Sequence, residues 1–274
     1  MNIYDDRACT LGEGPLWHPE RHELFWFDIL GKRLLSKART WDFDEHVSAA
    51  GWLDQDRLFI ASETALWDFD LGTGKQSKVV ELEADNPVTR SNDGRADPYG
   101  GLWIGTMGKA GEDQAGAIYR YYRGEVRTLY DNITVSNAMC FSPDGLWAYF
   151  CDTRSYYIQK VRLDETHGWP VGEPEVFIDL RADQLKPDGA VIDSTGRLWC
   201  AQFGAGRVAC YDGSKFSHAF DIPATQTTCP AFGDDDLKTL FVTTAARGLD
   251  AEHAGKTFSI DLDVAGQAEH QVIL

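Results

Sequence analysis

Four oxygen-bearing side chains stand at matching distances ahead of four large aromatic residues. Glu13 precedes Phe25 by 12 residues, Asn92 precedes Trp103 by 11, Asn137 precedes Tyr149 by 12, and Asp188 precedes Trp199 by 11. Two carboxylates and two amide carbonyls, if brought together, form an oxygen-rich cage for one divalent cation. The coordinating core is expected at Glu13, Asn137 and Asp188, with Asn92 ligating directly or through water. Oxygen ligands suit Ca2+, Mg2+ or Mn2+, and three protein ligands leave open positions that also admit Zn2+ or Fe2+. Such an ion can polarise a carbonyl, acidify bound water or orient a substrate. A single Asn-Asp-Gly, such as 92–94, is ordinarily a turn former that bonds its own backbone. Four such groups in phase weaken that reading.

Other chemistry finds little footing. No G-x-S-x-G elbow is present, and the seven histidines form no H-E-x-x-H pair. His18, directly after Trp17, is the one expected near the proposed site. Gly72-Thr73-Gly74 and Gly204-Ala205-Gly206 are incomplete nucleotide fingerprints and read as hairpin turns. Asp234-Asp235-Asp236 reads as a solvated turn.

The elements that must position these residues are strands. Short β-rich segments recur behind turn signals: HELFWFD (22–28), DRLFIAS (56–62), GGLWIGT (100–106), GLWAYFCDT (145–153), GRLWCAQ (196–202) and KTLFVTT (238–244). Their aromatic anchors, Phe25, Phe59, Trp103, Tyr149, Trp199 and Phe241, are spaced by 34, 44, 46, 50 and 42 residues. A second strand usually follows each, as in ALWDFD (65–70) and GRVACYDG (206–213). Six units of this size predict an all-β, six-bladed propeller, with residues 1–274 as a single domain and a metal-binding central channel. Equal phase along the chain then means equal position around the central axis. At that phase the two remaining units offer Val47 or Ser48, and Cys229. WD at 41–42 and 67–68 lacks a Gly-His partner at blade spacing and reads as strand sequence.

Composition narrows the partners. There are 43 acidic and 26 Lys or Arg residues, for a net charge of −17, which argues against nucleic acid or an anionic membrane surface as a partner. No run approaches the ~18 apolar residues of a membrane span, and the start, MNIYDDRACT, has no basic and apolar leader. The six cysteines show no C-x-x-C and several lie in apolar β-like runs, so small buried thiols are expected. A cytoplasmic location follows as an expectation.

The phrases LGEGPLW, SNDGRADPYGGLWIGTM, SNAMCFSPDG, KPDGAVID, GRLWCAQFGAGRV and DLKTLFVTTAARGL run in order along nearly the whole chain. Together they resemble the senescence marker protein 30/gluconolactonase/luciferin-regenerating family. The resemblance implies a six-bladed propeller with one divalent metal in its channel, held by Glu13, Asn137 and Asp188. It also places Arg90 and Asn92 on substrate hydroxyls and makes Asp188 the catalytic base. The implied reaction is hydrolysis of a small-molecule sugar lactone, such as a glucono-, xylono-, arabino- or galactonolactone, to the free acid. Mammalian members carry an acidic residue near the position of Ala110, with Glu112 the nearest acid here, so substrate preference departs before reaction type does. A non-catalytic calcium-binding propeller, and an esterase or phosphotriesterase on the same cage, are the competing readings.

Overall fold

The computed structural model describes residues 1–274. Six antiparallel sheets of four strands stand around a common axis as a six-bladed β-propeller. Within blades one to five the strands follow chain order from the channel outwards, so each blade is a meander closed by short turns. The innermost strands are Gly12–His18, Val47–Asp54, Thr89–Ala96, Ser136–Phe141, Lys186–Ile192 and Thr227–Gly233. Blade six is built from both ends of the chain. Its outer strand is Asn2–Asp5, paired with Thr257–Asp261 through Asn2↔Ser259, and this join closes the ring.

Each aromatic anchor lies on the second strand of its blade. Phe25, Phe59, Trp103 and Trp199 are essentially inaccessible, and Tyr149 and Phe241 are buried. The core lies between blades, as in the Phe25–Phe27–Leu34–Leu58–Ile60–Phe69 cluster that joins blades one and two. Burying one such Phe or Leu contributes about 1.5–3 kcal/mol, so the second and third strands carry most of the packing. Outermost strands such as Gln76–Glu81 and Lys215–Asp221 are largely exposed and polar, and no sequence signal marked them. The six cysteines are all free and buried. No helix is long and apolar enough to cross a membrane.

The innermost strands share a second feature. Each carries a bulge against its neighbour: between Glu13 and Leu16, Val47 and Ala49, Ser91 and Gly94, Asn137 and Cys140, Pro187 and Ala190, and Thr227 and Pro230. A bulge breaks the two-residue alternation and re-aims a side chain. Asn92-Asp93-Gly94 and Pro187-Asp188-Gly189, turn-like in sequence, are therefore bulged strand and not turns. Asn, Asp and Gly serve both geometries for the same backbone reasons.

The far mouth of the channel is crossed by the C-terminal segment. Gln267 Nε2 donates to Phe141 O and Ile192 O (both 3.0 Å), tying blades four and five. Trp52 Nε1 donates to Glu269 O (2.8 Å), and Val272 N donates to Trp52 O (2.9 Å). Beneath this segment Arg95 pairs with Glu269, both largely buried.

Candidate metal and substrate site

At the other mouth the bulges bring the four phased residues to one place. Glu13 and Asn137 are the last paired residues before their bulges, whereas Asn92 and Asp188 lie within theirs. The sequence offsets of 12 and 11 thus correspond to two positions at the bulge. Gly14 and Ala138, the residues after Glu13 and Asn137, both take left-handed backbone (φ 52° and 59°). At Gly14 the choice of residue is forced, because a Cβ would lie 2.2 Å from Ser48 O.

Glu13, Arg90, Asn92, Asn137 and Asp188 all line one cavity of about 390 Å³, together with Leu11, Met107 and Phe203 on its apolar walls. That volume lies within the roughly 300–1,000 Å³ of small-molecule sites. Both carboxylates are buried, with 5–6% of each residue exposed. Burial, reinforced by the charge on Asp93, pushes the Glu13 carboxyl up to about 8. Burial and the nearby Glu13 and Asp93 likewise drive Asp188 well above the carboxylate range. Only the Gly14 amide donates to Glu13 (3.1 Å), and no side chain hydrogen-bonds Asp188. Arg90 is the nearby cation; its own burial lowers its pKa to about 10. Removing charge from water without a partner is costly, so two such carboxylates facing one cavity call for a positive ligand.

The amides are held by a directional chain. Thr153 Oγ1 donates to Pro187 O (2.7 Å) and therefore accepts from Asn137 Nδ2 (2.9 Å). This fixes the Asn137 amide with its oxygen turned away from Thr153, where it accepts only a long bond from Asn92 Nδ2 (3.3 Å). Asn92 also donates to Ser136 O (2.8 Å) and accepts from Arg90 Nη1 (2.8 Å). Asn92 thus bridges Arg90 to Asn137. Arg90 Nε is buried and has no protein acceptor. No three of His, Cys, Asp and Glu cluster as a metal site in the chain, and the Asn137 side-chain oxygen, held away from Thr153, is an oxygen donor lining the same cavity as the two carboxylates. Glu13, Asp188 and the Asn137 carbonyl together suit one hard or borderline divalent cation.

Several features of the site were not legible in sequence. Thr153 sits in the 3-10 turn Thr153–Ser155, and only the fold brings it against Asn137. Asp93 is buried next to Asn92 on the same strand, accepts from Met139 N (2.8 Å), and acts on the two carboxylates through its charge. In blade six the bulge falls at Thr228 and Cys229, where Thr228 Oγ1 donates to Gly12 O (2.5 Å). His18 is corrected: it occupies the opposite end of its strand, fully buried, with Nε2 against Asp54 O (3.0 Å) and the ring packed near Trp52. Adjacency to Trp17 in sequence says nothing about which channel mouth a residue reaches. Ala110 lines the cavity, while the Glu112 carboxylate turns back to accept from Ala110 N (3.0 Å).

Residues 11–246 match the family model described as SMP-30/Gluconolactonase/LRE-like region. The chain is 40% identical over 280 residues to a Rhizobium meliloti (strain 1021) protein provisionally named a sugar lactone lactonase, covering 96% of this chain and 94% of that one. It is 33% identical to an L-arabinolactonase of Azospirillum brasilense, covering 96% and 92%. The fold superposes with a TM-score of 0.97 on a crystal structure described as a calcium-binding protein, regucalcin, from Agrobacterium tumefaciens. That protein is 37% identical, over 100% of this chain and 97% of the other.

Proposed function

The chain belongs to the SMP-30/gluconolactonase/LRE-like family, and on that premise we propose that it hydrolyses a sugar acid lactone with one divalent cation held by Glu13, Asn137 and Asp188. The carrying observation is the pair of buried carboxylates without a matching cation, facing a small-molecule cavity. The calcium-binding description of the Agrobacterium relative supports a divalent ion, and the arabinolactonase supports a lactone substrate. When bound, the ion would supply Lewis acidity at the lactone carbonyl.

The chain's own residues supply position and proton transfer. Arg90 and Asn92, which both line the cavity, are proposed to hold ring hydroxyls. Fixing the ring in this way lowers the entropic part of the barrier. Asp188 takes a proton from water as the water oxygen bonds the carbonyl carbon. It returns that proton to the ring oxygen as the acyl C–O bond breaks, leaving a hydroxyl and a carboxylic acid. The acid then ionises, so turnover releases one proton. Apolar walls at Leu11, Met107 and Phe203 limit water around the reacting centre.

A panel of 1,4- and 1,5-aldonolactones followed with a pH indicator, with and without chelator, tests the proposal. Chelator-sensitive acid release on at least one lactone is expected. Absence of hydrolysis across the panel with Ca2+, Mg2+, Mn2+ and Zn2+ each supplied would favour the non-catalytic calcium-binding propeller instead.

A further inference from the structure

The cavity changes sign between its floor and its rim. Its lining includes five cations, Arg90, Lys109, Arg154, Lys186 and Arg247, and no acid other than Glu13 and Asp188. That is unexpected in a chain with 43 acidic and 26 basic residues. Two of the five already have acidic neighbours. Arg90 lies on the floor within the field of Glu13. Lys109 pairs with Glu63, whose other oxygen contacts His46 Nδ1 (2.5 Å).

Arg154, Lys186 and Arg247 differ. All three are exposed at the cavity mouth, and no acidic side chain pairs with any of them. They come from successive blades: Arg154 from the 3-10 turn of blade four, Lys186 from the first residue of the innermost strand of blade five, and Arg247 from the loop after Thr239–Thr244 in blade six. They therefore form an arc on one side of the mouth, opposite the neutralised Lys109–Glu63–His46 cluster of blades two and three. Arg247 lines the same cavity as Arg90, and its charge is felt there.

The hydroxyls of a neutral sugar lactone need donors and acceptors, not three uncompensated charges. Like charges held together repel one another, and the acidic surface elsewhere offers ample partners that the fold does not bring to this arc. Guanidinium forks and an ammonium around one mouth match the geometry and charge of an oxyanion. Resting on the lactonase reading of the same cavity, we propose that this arc is an anion subsite. The preferred substrate is then a sugar lactone carrying a phosphate, sulfonate or carboxylate at the end remote from its lactone carbonyl. The ring would sit over the acidic floor, and the anionic end would point to blades four to six.

Steady-state kinetics of the full chain with divalent cation supplied test this on matched substrates. The set is glucono-1,5-lactone with its 6-phosphate and its 6-deoxy-6-sulfonate, and glucono-1,4-lactone with glucaro-1,4-lactone as the carboxylate arm. At least one anionic substrate should show a KM about tenfold or more below that of the neutral lactone, an advantage that shrinks between about 20 mM and about 500 mM salt. R154Q, K186Q and R247Q should each lower the anionic-to-neutral ratio of kcat/KM by about two- to fivefold, the scale of an exposed ion pair. Anionic lactones no better than the neutral one, or substitutions that move both substrates by one factor, overturn the subsite while leaving the lactonase intact. If no lactone of either kind is hydrolysed, the lactonase reading fails, and calorimetry decides the arc separately. Binding of 6-phosphogluconate should then be tighter than that of gluconate, and the difference should vanish in the triple variant. Equal binding of the two acids by the wild-type chain overturns the subsite.

Discussion

At one end of the channel Glu13 and Asp188 are buried with little to neutralise them; at the other, Arg95 is buried against Glu269 under the C-terminal segment. Burial acts against the charge in both places. At the closed end Glu269 more than offsets it, so the Arg95 guanidinium stays protonated. At the open end nothing in the chain does so, and both carboxyls are driven upwards. A buried pair that is internally complete serves the fold, whereas an incomplete set held rigidly by bulged strands is poised for a ligand. The two ends lie on the same strands: Arg90 and Arg95 are five residues apart on Thr89–Ala96.

The contrast can be broken most sharply at the open end. Asp188→Ala should reduce lactone turnover by at least about 10³-fold with cation in excess, equivalent to about 4 kcal/mol of barrier. In the cation-free protein it should cost no stability, because it removes a buried carboxyl that no side chain hydrogen-bonds. Near-normal hydrolysis by this variant, measured on any lactone the wild type accepts, would remove Asp188 from the mechanism.

The closed end should respond in the reverse manner. Glu269→Gln leaves Arg95 buried and unpaired, and urea unfolding should show a loss of about 3 kcal/mol with activity per folded molecule retained. Glu13→Gln in cation-free protein should show no loss. Equal destabilisation by both would mean that the two ends do not differ as described.

Cation binding should complete the open end. At about 100 times its dissociation constant, a divalent ion should raise the unfolding free energy by about 2.7 kcal/mol. Thermal shift with the Glu13→Gln/Asp188→Asn double variant is the control, and an unchanged shift there would place the ion elsewhere.

The smallest effect concerns Glu63 at the rim. Burial raises its pKa, but contacts from Lys109 and His46 outweigh that and hold it down to about 2, against an ordinary 4.5. Its folded-state pKa lies below its unfolded one, so its contribution is fully present above about pH 4.5 and is lost as the pH falls towards 2. Glu63→Gln should flatten acid unfolding over that window by less than about 1 kcal/mol, since the cluster is partly solvated. An unchanged acid-unfolding curve would show that the rim cluster is not coupled to folding.

The blade count was legible because Phe25, Trp103 and Trp199 must be buried wherever a blade packs on the next, and burial imposes a regular recurrence. The phase of Glu13, Asn92, Asn137 and Asp188 was legible because the turn from the first to the second strand has nearly constant length. It slips in blade six, where Pro230–Gly233 puts four paired residues between bulge and turn, against three in Gly94–Ala96 and in Ala190–Ile192, and the bulge falls at Thr228 and Cys229. His18 was misplaced because adjacency along a strand does not reveal which mouth a residue faces. Thr153, Arg154 and Arg247 were not singled out because each enters from a turn or loop beyond the innermost strand.

By itself, then, the sequence determined the repeat, the residue types that pack it and the chemistry available to the phased oxygens, because periodic burial and side-chain chemistry are local properties. Only the tertiary structure decided that Asn92 is a bridge between Arg90 and Asn137, that Thr153 orients the Asn137 amide, and that the rim is cationic above an acidic floor. Those outcomes depend on closing the ring, which brings residues from different blades within hydrogen-bonding and Coulomb range.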